Sequence, residues 1–264
     1  MLFGTILFVL SALSTLGIYL LAGGLSHWWI IPMVLGFHFV WIVLYLLTLF
    51  VISLFWSKKQ PLQKPKAFCR FCIVYTMEYL MRVLRTKPVF KGREKLPAEP
   101  CVLVSNHRSA FDPLAGLSLL KERRLAYISK ESNLKIPLVG TYMYHAGFLA
   151  IDRENGMRAL RTLKHAAEIM KSSKTDMGIY PEGTRSKTGE LLEFKSGAFL
   201  LAKRADAPVV IIATRGTEQV LKNFPWRSTK IELEVIEVLD REQVKALSLE
   251  EMSEYVKNRL EQAL

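Results

Sequence analysis

The sequence predicts an α/β domain with a central, mostly parallel sheet flanked by helices, preceded by an apolar two-helix hairpin. Two observations lead to this prediction. Residues 1–57 contain no Lys, Arg, Asp or Glu, so all 36 basic and 24 acidic residues, and the whole net charge of +12, lie in residues 58–264. Further along the chain, short apolar runs alternate with segments of helical periodicity, which is typical of a buried sheet covered by helices. The two parts of the chain are therefore suited to different surroundings.

The uncharged part contains two long apolar segments, residues 2–22 and 28–56, separated by the polar break GGLSH. At about 1.5 Å per residue, a helix over the first segment spans about 30 Å, the thickness of the hydrocarbon core of a bilayer. We predict that residues 1–57 form a membrane-anchoring helical hairpin. A signal peptide is disfavoured because no basic residue precedes the first segment. A hairpin that crosses the bilayer and one that re-enters a single leaflet have the same sequence signature.

A basic juxtamembrane segment is predicted for residues 58–87. Four lysines, Lys58, Lys59, Lys64 and Lys66, follow the second apolar segment, and by the positive-inside rule they place this end in the cytoplasm. Residues 66–87 have the composition of a basic amphipathic helix lying on an anionic leaflet. The CRFC stretch at 69–72 is attributed to packing on one helix face, with a lipidated cysteine as the alternative.

Residues 88–264 are predicted to fold as one domain without internal repeats or a long linker. Its last helix begins at Ser248, because Ser248 and Glu251 have the spacing of a capping box. The predicted strands are 101–104, 124–129, 147–151, 177–180, 208–213 and 230–239, and the predicted helices between them begin at 113 or cover 156–172 and 197–204.

The stretch NHRSAFD, residues 106–112, directly follows the apolar run CVLV. Asp is favoured as an N-cap and Pro at the first helical position, so we expect a helix to begin at Pro113, with Asp112 as its cap. His107 then lies in a strand-to-helix turn, where a nearby carboxylate would fix its tautomer and make it a base. The alternative is that Asp112 only caps its helix. No G-x-S-x-G motif is present, so the base would activate a hydroxyl of the substrate.

A second polar stretch, YPEGTRS at 180–186, also follows an apolar run. Gly183 permits a tight turn with exposed N–H groups, and Arg185 adds a planar cation, so the stretch has the features of an anion site. A Glu182–Arg185 salt bridge that stiffens the turn is the alternative. Lys130 and Lys195 are further cations that would face the same crevice. No metal-binding motif is present, and we predict neither a metal nor a cofactor.

Four stretches in this order, NHRSAFD, GFLAIDR, YPEGTRS and APVVII, resemble the four motif blocks of the glycerophospholipid acyltransferase family. The connecting stretches ISKESNLKIPLVG and FKSGAFLLAKRADAPVV are similar to those of the family, and the resemblance spans residues 88–240. The fourth block departs from the family pattern, because a second proline expected after Pro208 is replaced by Ile211. This difference affects the shape of the expected acyl-chain wall.

The resemblance implies an enzyme that transfers a fatty acyl group from acyl-CoA or acyl carrier protein to the sn-2 hydroxyl of lysophosphatidic acid. It implies that His107 is the general base, that Asp112 orients it, and that no acyl-enzyme forms. The implied substrate-binding residues are Arg153, Glu182, Gly183, Thr184 and Arg185. We add Lys130 to this set as a further cation of the same crevice. The implied location is a bacterial inner membrane, in contact with membrane lipids, with the catalytic domain in the cytoplasm.

Two other functions remain open. In the first, the chain is an acyltransferase whose acceptor is another lysolipid. In the second, the chain is a non-catalytic membrane protein that binds anionic lipid through its basic surface. Nucleic-acid binding is disfavoured, because the positive charge is dispersed and no recognition motif accompanies it.

Overall fold

A computed structural model of the protein describes residues 2–23, 26–58, 61–186 and 188–264. Internal contacts divide the chain into two units, residues 1–60 and residues 61–264. The finer division made from sequence, with a linker over 58–87 and a domain from 88, stays a prediction; Lys59 lies outside the described residues.

Unit 1 consists of two antiparallel helices, α1 (Leu2–Leu21) and α2 (Ile30–Leu54), with a short 3₁₀ turn at His27–Trp29 before α2. Polar side chains pair the helices: Trp41 Nε1 donates to Ser14 Oγ at 3.2 Å, and Ser11 Oγ lies 3.3 Å from His38 Nδ1. Both helices are long and apolar enough to cross a membrane, and most of their side chains are exposed. Unit 1 is therefore suited to lipid contact.

Unit 2 is built on a seven-stranded sheet with the order β1-β7-β6-β2-β5-β3-β4. Neighbouring strands are parallel except β6 and β7. The strands are β1 (Thr86–Lys91), β2 (Val102–Ser105), β3 (Leu125–Lys130), β4 (Leu149–Ile151), β5 (Asp176–Ile179), β6 (Val209–Arg215) and β7 (Thr229–Leu239). Every residue of the central β2 and β5 is buried, as expected for a sheet covered on both faces. The predicted mostly parallel sheet is confirmed.

Nine helices of the described part of unit 2 surround this sheet. They are α3 (Ala67–Val83), α4 (Asp112–Leu119), α5 (Glu131–Leu134), α6 (Val139–His145), α7 (Gly156–Ser173), α8 (Leu200–Ala205), α9 (Val220–Asn223), α10 (Arg241–Ala246) and α11 (Leu249–Ala263). The capping box predicted for α11 is present, with Ser248 and Glu251 bonded reciprocally. The predicted helix 156–172 corresponds closely to α7, which Asn155 caps by accepting from the N–H of Arg158.

The helix expected over residues 66–87 ends at Val83, and residues 86–91 form the edge strand β1. Arg85 has a left-handed backbone with φ 56°, which ends the helical path. Pro88 is accommodated because an edge strand leaves one row of donors unused. Pairing of β1 with β7 joins residues far apart in sequence, so helical periodicity alone gives no sign of it.

The cysteines of α3 are packed inside unit 2. Cys69 and Cys72 are both buried, and burial raises the pKa of the Cys69 thiol to about 12. A thiol in this state is a poor nucleophile. These observations favour the packing interpretation of CRFC over lipidation.

The parallel strands β2 to β6 end at one edge of the sheet, which therefore collects the loops that follow them. Below this edge, the ring of Tyr127 occupies space that two glycines leave open. A Cβ at Gly178 would lie 2.2 Å from the Tyr127 ring, and one at Gly116 would lie 2.0 Å from its hydroxyl. Gly116 and Gly178 therefore make room for a large aromatic side chain under the site.

We expect Gly178→Ala to destabilise unit 2 by about 1–3 kcal/mol, because overpacking forces shifts in the β5 backbone or the Tyr127 ring. Thermal denaturation in detergent, followed by circular dichroism, measures this loss. The control is Gly156→Ala, where a Cβ meets no atom within 4 Å. Equal melting temperatures for the Gly178→Ala variant and the unmodified chain would contradict this packing.

Candidate active site

His107 and Asp112 form a hydrogen-bonded pair, here called the dyad. Both lie in the loop between β2 and α4, here called the dyad loop. The Nδ1 atom of His107 lies 2.7 Å from Oδ2 of Asp112. Asn106 fixes the start of the loop to β6, because its amide donates to the Thr214 carbonyl at 2.9 Å and accepts from the Thr214 N–H at 2.8 Å. The loop that was expected to bring His107 and Asp112 together is therefore present and anchored on both sides.

Asp112 is buried and accepts four hydrogen bonds from described residues. Oδ2 accepts from His107 and from the N–H groups of Arg108 and Ser109, each at 2.8 Å, and Oδ1 accepts from the Thr217 hydroxyl. The expected N-cap at Asp112 is wrong. The helix begins at Asp112 itself, and the carboxylate points back into the preceding turn because that turn supplies the donors.

This carboxylate determines the orientation and the tautomer of His107. A carboxylate whose oxygens receive other donors acts only as an acceptor, so the ring proton belongs on Nδ1. The neutral ring then presents an unprotonated Nε2. The His107 side chain is 15% exposed, so solvent or a substrate hydroxyl can approach it.

Two tyrosines support the imidazole from one side. The ring of His107 stacks on Tyr180 with centroids 4.2 Å apart, and Tyr180 lies parallel to Tyr127 at 5.7 Å. Burial raises the pKa of both phenols, so both are neutral at physiological pH. The stack therefore contributes shape and no charge next to His107.

Glu182 links the YPEGTRS turn to the dyad loop. Its buried carboxylate accepts from the N–H of His107 at 2.6 Å and from the N–H of Leu192 at 3.1 Å, and burial raises its pKa. A second link runs from the Ser186 N–H to the His107 carbonyl at 2.8 Å. Among the described residues Glu182 forms no ion pair with Arg185. Because backbone N–H groups donate to both of its oxygens, the Glu182 carboxylate joins the two loops and holds the backbone of His107.

Residues 183–185 of the YPEGTRS turn lie toward the surface. Gly183 has φ +69°, which suits glycine, and the Lys195 side chain passes close to it, since a Cβ at Gly183 would lie 3.2 Å from Lys195 Cε. Thr184 and Arg185 are exposed, and within the described chain Arg185 takes part in no ion pair. The side chains of Thr184 and Arg185 are thus accessible to an anion.

A mostly apolar cavity of about 370 Å³ opens at the same edge of the sheet. Its walls come from β4, β5 and α7 and from residues 195–200. Of the predicted site residues, Arg153 and Gly183 line it, together with Lys195. Lys130 is exposed at the end of β3, and neither it nor Arg185 belongs to the cavity lining. The described residues contain no cluster of three or more His, Cys, Asp or Glu that would hold a metal ion.

Sequence reasoning missed Thr217 and the supporting role of Tyr180. Thr217 follows β6 by two residues and therefore lies at the edge shared by all these loops. Only its topological position could have revealed it, because it is 105 residues away from Asp112. Tyr180 stood inside a recognised motif, but its contact with His107 depends on β5 lying beside β2.

Residues 87–215 match the sequence profile of the family described as Acyltransferase. The chain is 41% identical over 113 residues to human 1-acyl-sn-glycerol-3-phosphate acyltransferase beta, covering 43% of this chain and 40% of the human protein. It is 26% identical over 163 residues to the 1-acyl-sn-glycerol-3-phosphate acyltransferase of Haemophilus influenzae, covering 59% of this chain and 68% of that protein.

A solved structure is similar over nearly the whole chain. The 1-acyl-sn-glycerophosphate (LPA) acyltransferase PlsC of Thermotoga maritima superposes with a TM-score of 0.62 and 25% identity, covering 97% of this chain and 95% of that one. The likeness thus includes the apolar helices as well as the sheet.

We expect Thr217→Val to destabilise unit 2 by about 1.5–3 kcal/mol, because it removes a buried hydrogen bond to a carboxylate without changing side-chain size. Thermal melts in detergent measure the loss, and Thr217→Ser, which keeps the hydroxyl, serves as the control. If valine and serine gave the same melting temperature, the Thr217–Asp112 bond would not contribute to stability.

Proposed function

Because residues 87–215 match the sequence profile of the Acyltransferase family, we propose that this chain transfers a fatty acyl group from an acyl thioester to the sn-2 hydroxyl of 1-acyl-sn-glycerol 3-phosphate, yielding phosphatidic acid. The observation that carries this proposal is the His107–Asp112 pair, whose imidazole stacks on Tyr180, a residue that lines the apolar cavity. The exposed cation Arg185 lies in the turn that follows Tyr180. An anionic amphiphile requires both kinds of surface in one site.

In the proposed reaction His107 is the general base. Its Nε2 accepts the proton of the acceptor hydroxyl as the oxygen attacks the thioester carbonyl, and the imidazolium is stabilised by Asp112. Collapse of the tetrahedral adduct breaks the C–S bond, and His107 returns the proton to the leaving thiolate. The products are phosphatidic acid and a free thiol.

We propose direct transfer, without an acyl-enzyme. The described residues that line the cavity include no serine or cysteine, and the three cysteines are buried. The fatty acyl chain would occupy the apolar cavity, with its thioester directed toward His107.

The glycerol phosphate would bind at the exposed part of the YPEGTRS turn. Gly183 lets the turn form, with its N–H donating to the Tyr180 carbonyl at 3.0 Å. Thr184 offers a hydroxyl, and Arg185 offers a planar cation that matches phosphate oxygens. Arg153 and Lys195 at the cavity, and Lys130 at the end of β3, would add positive charge. Glu182 acts indirectly, by holding the His107 backbone.

We place the enzyme at the cytoplasmic face of a bacterial inner membrane. Two apolar helices and the lysines that follow α2, among them Lys58 and Lys64, support this placement. Either acyl-CoA or an acyl carrier protein would be attracted to a basic surface, because the first carries phosphates and the second is acidic.

The direct test incubates the purified full chain in detergent with lysophosphatidate and either acyl-CoA or an acyl carrier protein thioester. Phosphatidate should appear with at least one donor, and lysophosphatidylcholine should be a much poorer acceptor. If another lysolipid were acylated and lysophosphatidate were not, the proposed acceptor would be wrong and that lysolipid would replace it. Binding of anionic lipid without any acyl transfer would favour a non-catalytic role.

We expect His107→Ala to lower kcat by roughly 10²–10⁴-fold, the usual contribution of a positioned general base. Asp112→Asn should act in the same direction, because it replaces one of the two acceptor oxygens by an NH₂ donor and removes the charge that stabilises the imidazolium. Steady-state kinetics measure both effects, and a thermal melt of each variant controls for unfolding. A folded His107→Ala variant with full activity would exclude His107 as the base.

We expect Arg185→Ala to raise KM for lysophosphatidate about 10- to 150-fold, because a charge-assisted hydrogen bond to phosphate is worth roughly 1.5–3 kcal/mol. Arg185→Lys should restore only part of the binding, since an ammonium lacks the two-pronged geometry. Arg161→Ala, which removes an exposed arginine from α7, controls for the change in net charge. An unchanged KM in Arg185→Ala would remove Arg185 from the phosphate site.

A further inference from the structure

The connection between β6 and β7, residues 216–228, contains an exposed apolar segment. Within residues 221–227, here called the β6–β7 tip, the side chain of Leu221 is 67% exposed, that of Phe224 38% and that of Trp226 85%. Three large apolar side chains so close together in water are unusual for a loop, and such patches mark binding surfaces.

The tip is held by a folded frame. Thr217, Val220 and Thr229 are buried on either side of it and anchor the connection to unit 2. Hydrogen bonds brace the tip itself: Phe224 N–H to the Val220 carbonyl at 3.1 Å, Arg227 N–H to the Asn223 carbonyl at 2.7 Å, and Arg85 Nη1 to the Pro225 carbonyl at 2.8 Å. The apolar side chains are thus presented to solvent by an ordered backbone.

The charge around the tip is positive. Lys222 and Arg227 are exposed within it, and no Asp or Glu occurs in residues 219–228. Arg85 joins the tip through its bond to Pro225, and the exposed Lys87 lies beside Lys230, which is paired with Glu232 at 3.4 Å. An exposed Trp surrounded by cations is the composition of a protein surface that sits in the headgroup region of an anionic bilayer.

The topology places the tip at the edge of the sheet that holds the dyad. β6 is parallel to β2, so the residues after β6 lie at the same edge as the loop of His107. The connection also begins with Thr217, which bonds to Asp112. The same chain carries two helices long and apolar enough to cross a membrane, and this favours a bilayer as the surface that the tip contacts.

We propose that the β6–β7 tip is a second membrane contact, which inserts Trp226 and Phe224 into the headgroup region of a bilayer rich in anionic phospholipid while Lys222 and Arg227 pair with lipid phosphates. This contact presents the dyad edge of unit 2 to the bilayer. It is independent of the reaction that the site performs.

The test measures the depth of a spin label at the tip in the full chain reconstituted into vesicles. The label is attached at Trp226→Cys, and the native cysteines are buried. A matched label at Lys171→Cys reports on the end of α7 that precedes β5, at the opposite edge of the sheet. Power saturation compares access to oxygen, which concentrates in lipid, with access to a polar nickel complex. Vesicles are phosphatidylcholine alone or an equal mixture with phosphatidylglycerol.

The label at 226 should be immersed in the mixed vesicles and less immersed in phosphatidylcholine, whereas the label at 171 stays aqueous in both. Reversing two charges in Lys222→Glu/Arg227→Glu should lower the ratio of immersed to aqueous label at 226 by at least about 25-fold, since loss of each of the two cations contributes about fivefold and the added carboxylates are repelled. The pair Lys164→Glu/Lys171→Glu, with the same change in net charge, should leave it unaltered.

An aqueous label at 226 in both vesicle types would overturn the proposal, and so would equal immersion in both. Protection of the label only when an acidic acyl carrier protein is added would assign the tip to a protein partner instead.

Discussion

The hydrogen bonds accepted by the Asp112 carboxylate are the interactions on which the geometry of the site depends. Four donors meet at this buried group, from the ring of His107, the turn that follows it and the hydroxyl of Thr217 beyond β6. A buried carboxylate is costly unless it is fully hydrogen-bonded, so these donors hold the anion in one orientation. The imidazole inherits that orientation. Glu182 repeats the arrangement on the other side of His107, where a second buried carboxylate joins two loops through backbone N–H groups.

These contacts are possible because a parallel sheet gathers sequence-distant loops at one edge. There Tyr180, which stacks on His107, lines an apolar cavity, and the exposed Arg185 follows in the same turn. A lysolipid has the same division, with a fatty chain and an anionic headgroup around a free hydroxyl. The proposed membrane contact of the β6–β7 tip has the same combination of apolar and cationic side chains. It would bind the lipid bilayer in which a lysolipid is dissolved.

Much of this architecture was predictable because its signals are local. The uncharged hairpin, the buried runs of β2 and β6 and the capping box at Ser248 are each encoded within a few residues. The proximity of His107 and Asp112 also followed from a short loop. In contrast, β1 was missed because its pairing with β7 is long-range. The orientation of the Asp112 carboxylate was predicted wrongly, because the carboxylate was expected to accept from N–H groups of α4 as its N-cap. Thr217 is 105 residues from Asp112 and Glu182 is 75 residues from His107, so only the folded sheet reveals these contacts.

The central claim is that Asp112 holds the His107 proton on Nδ1 and leaves Nε2 free to act as a base. Nitrogen-15 NMR of the histidine rings in the full chain, with His107 assigned by comparison with His107→Ala, tests this most directly. In the neutral ring Nδ1 should have the chemical shift of a protonated nitrogen and Nε2 that of an unprotonated one. A neutral His107 with its proton on Nε2 would contradict the account.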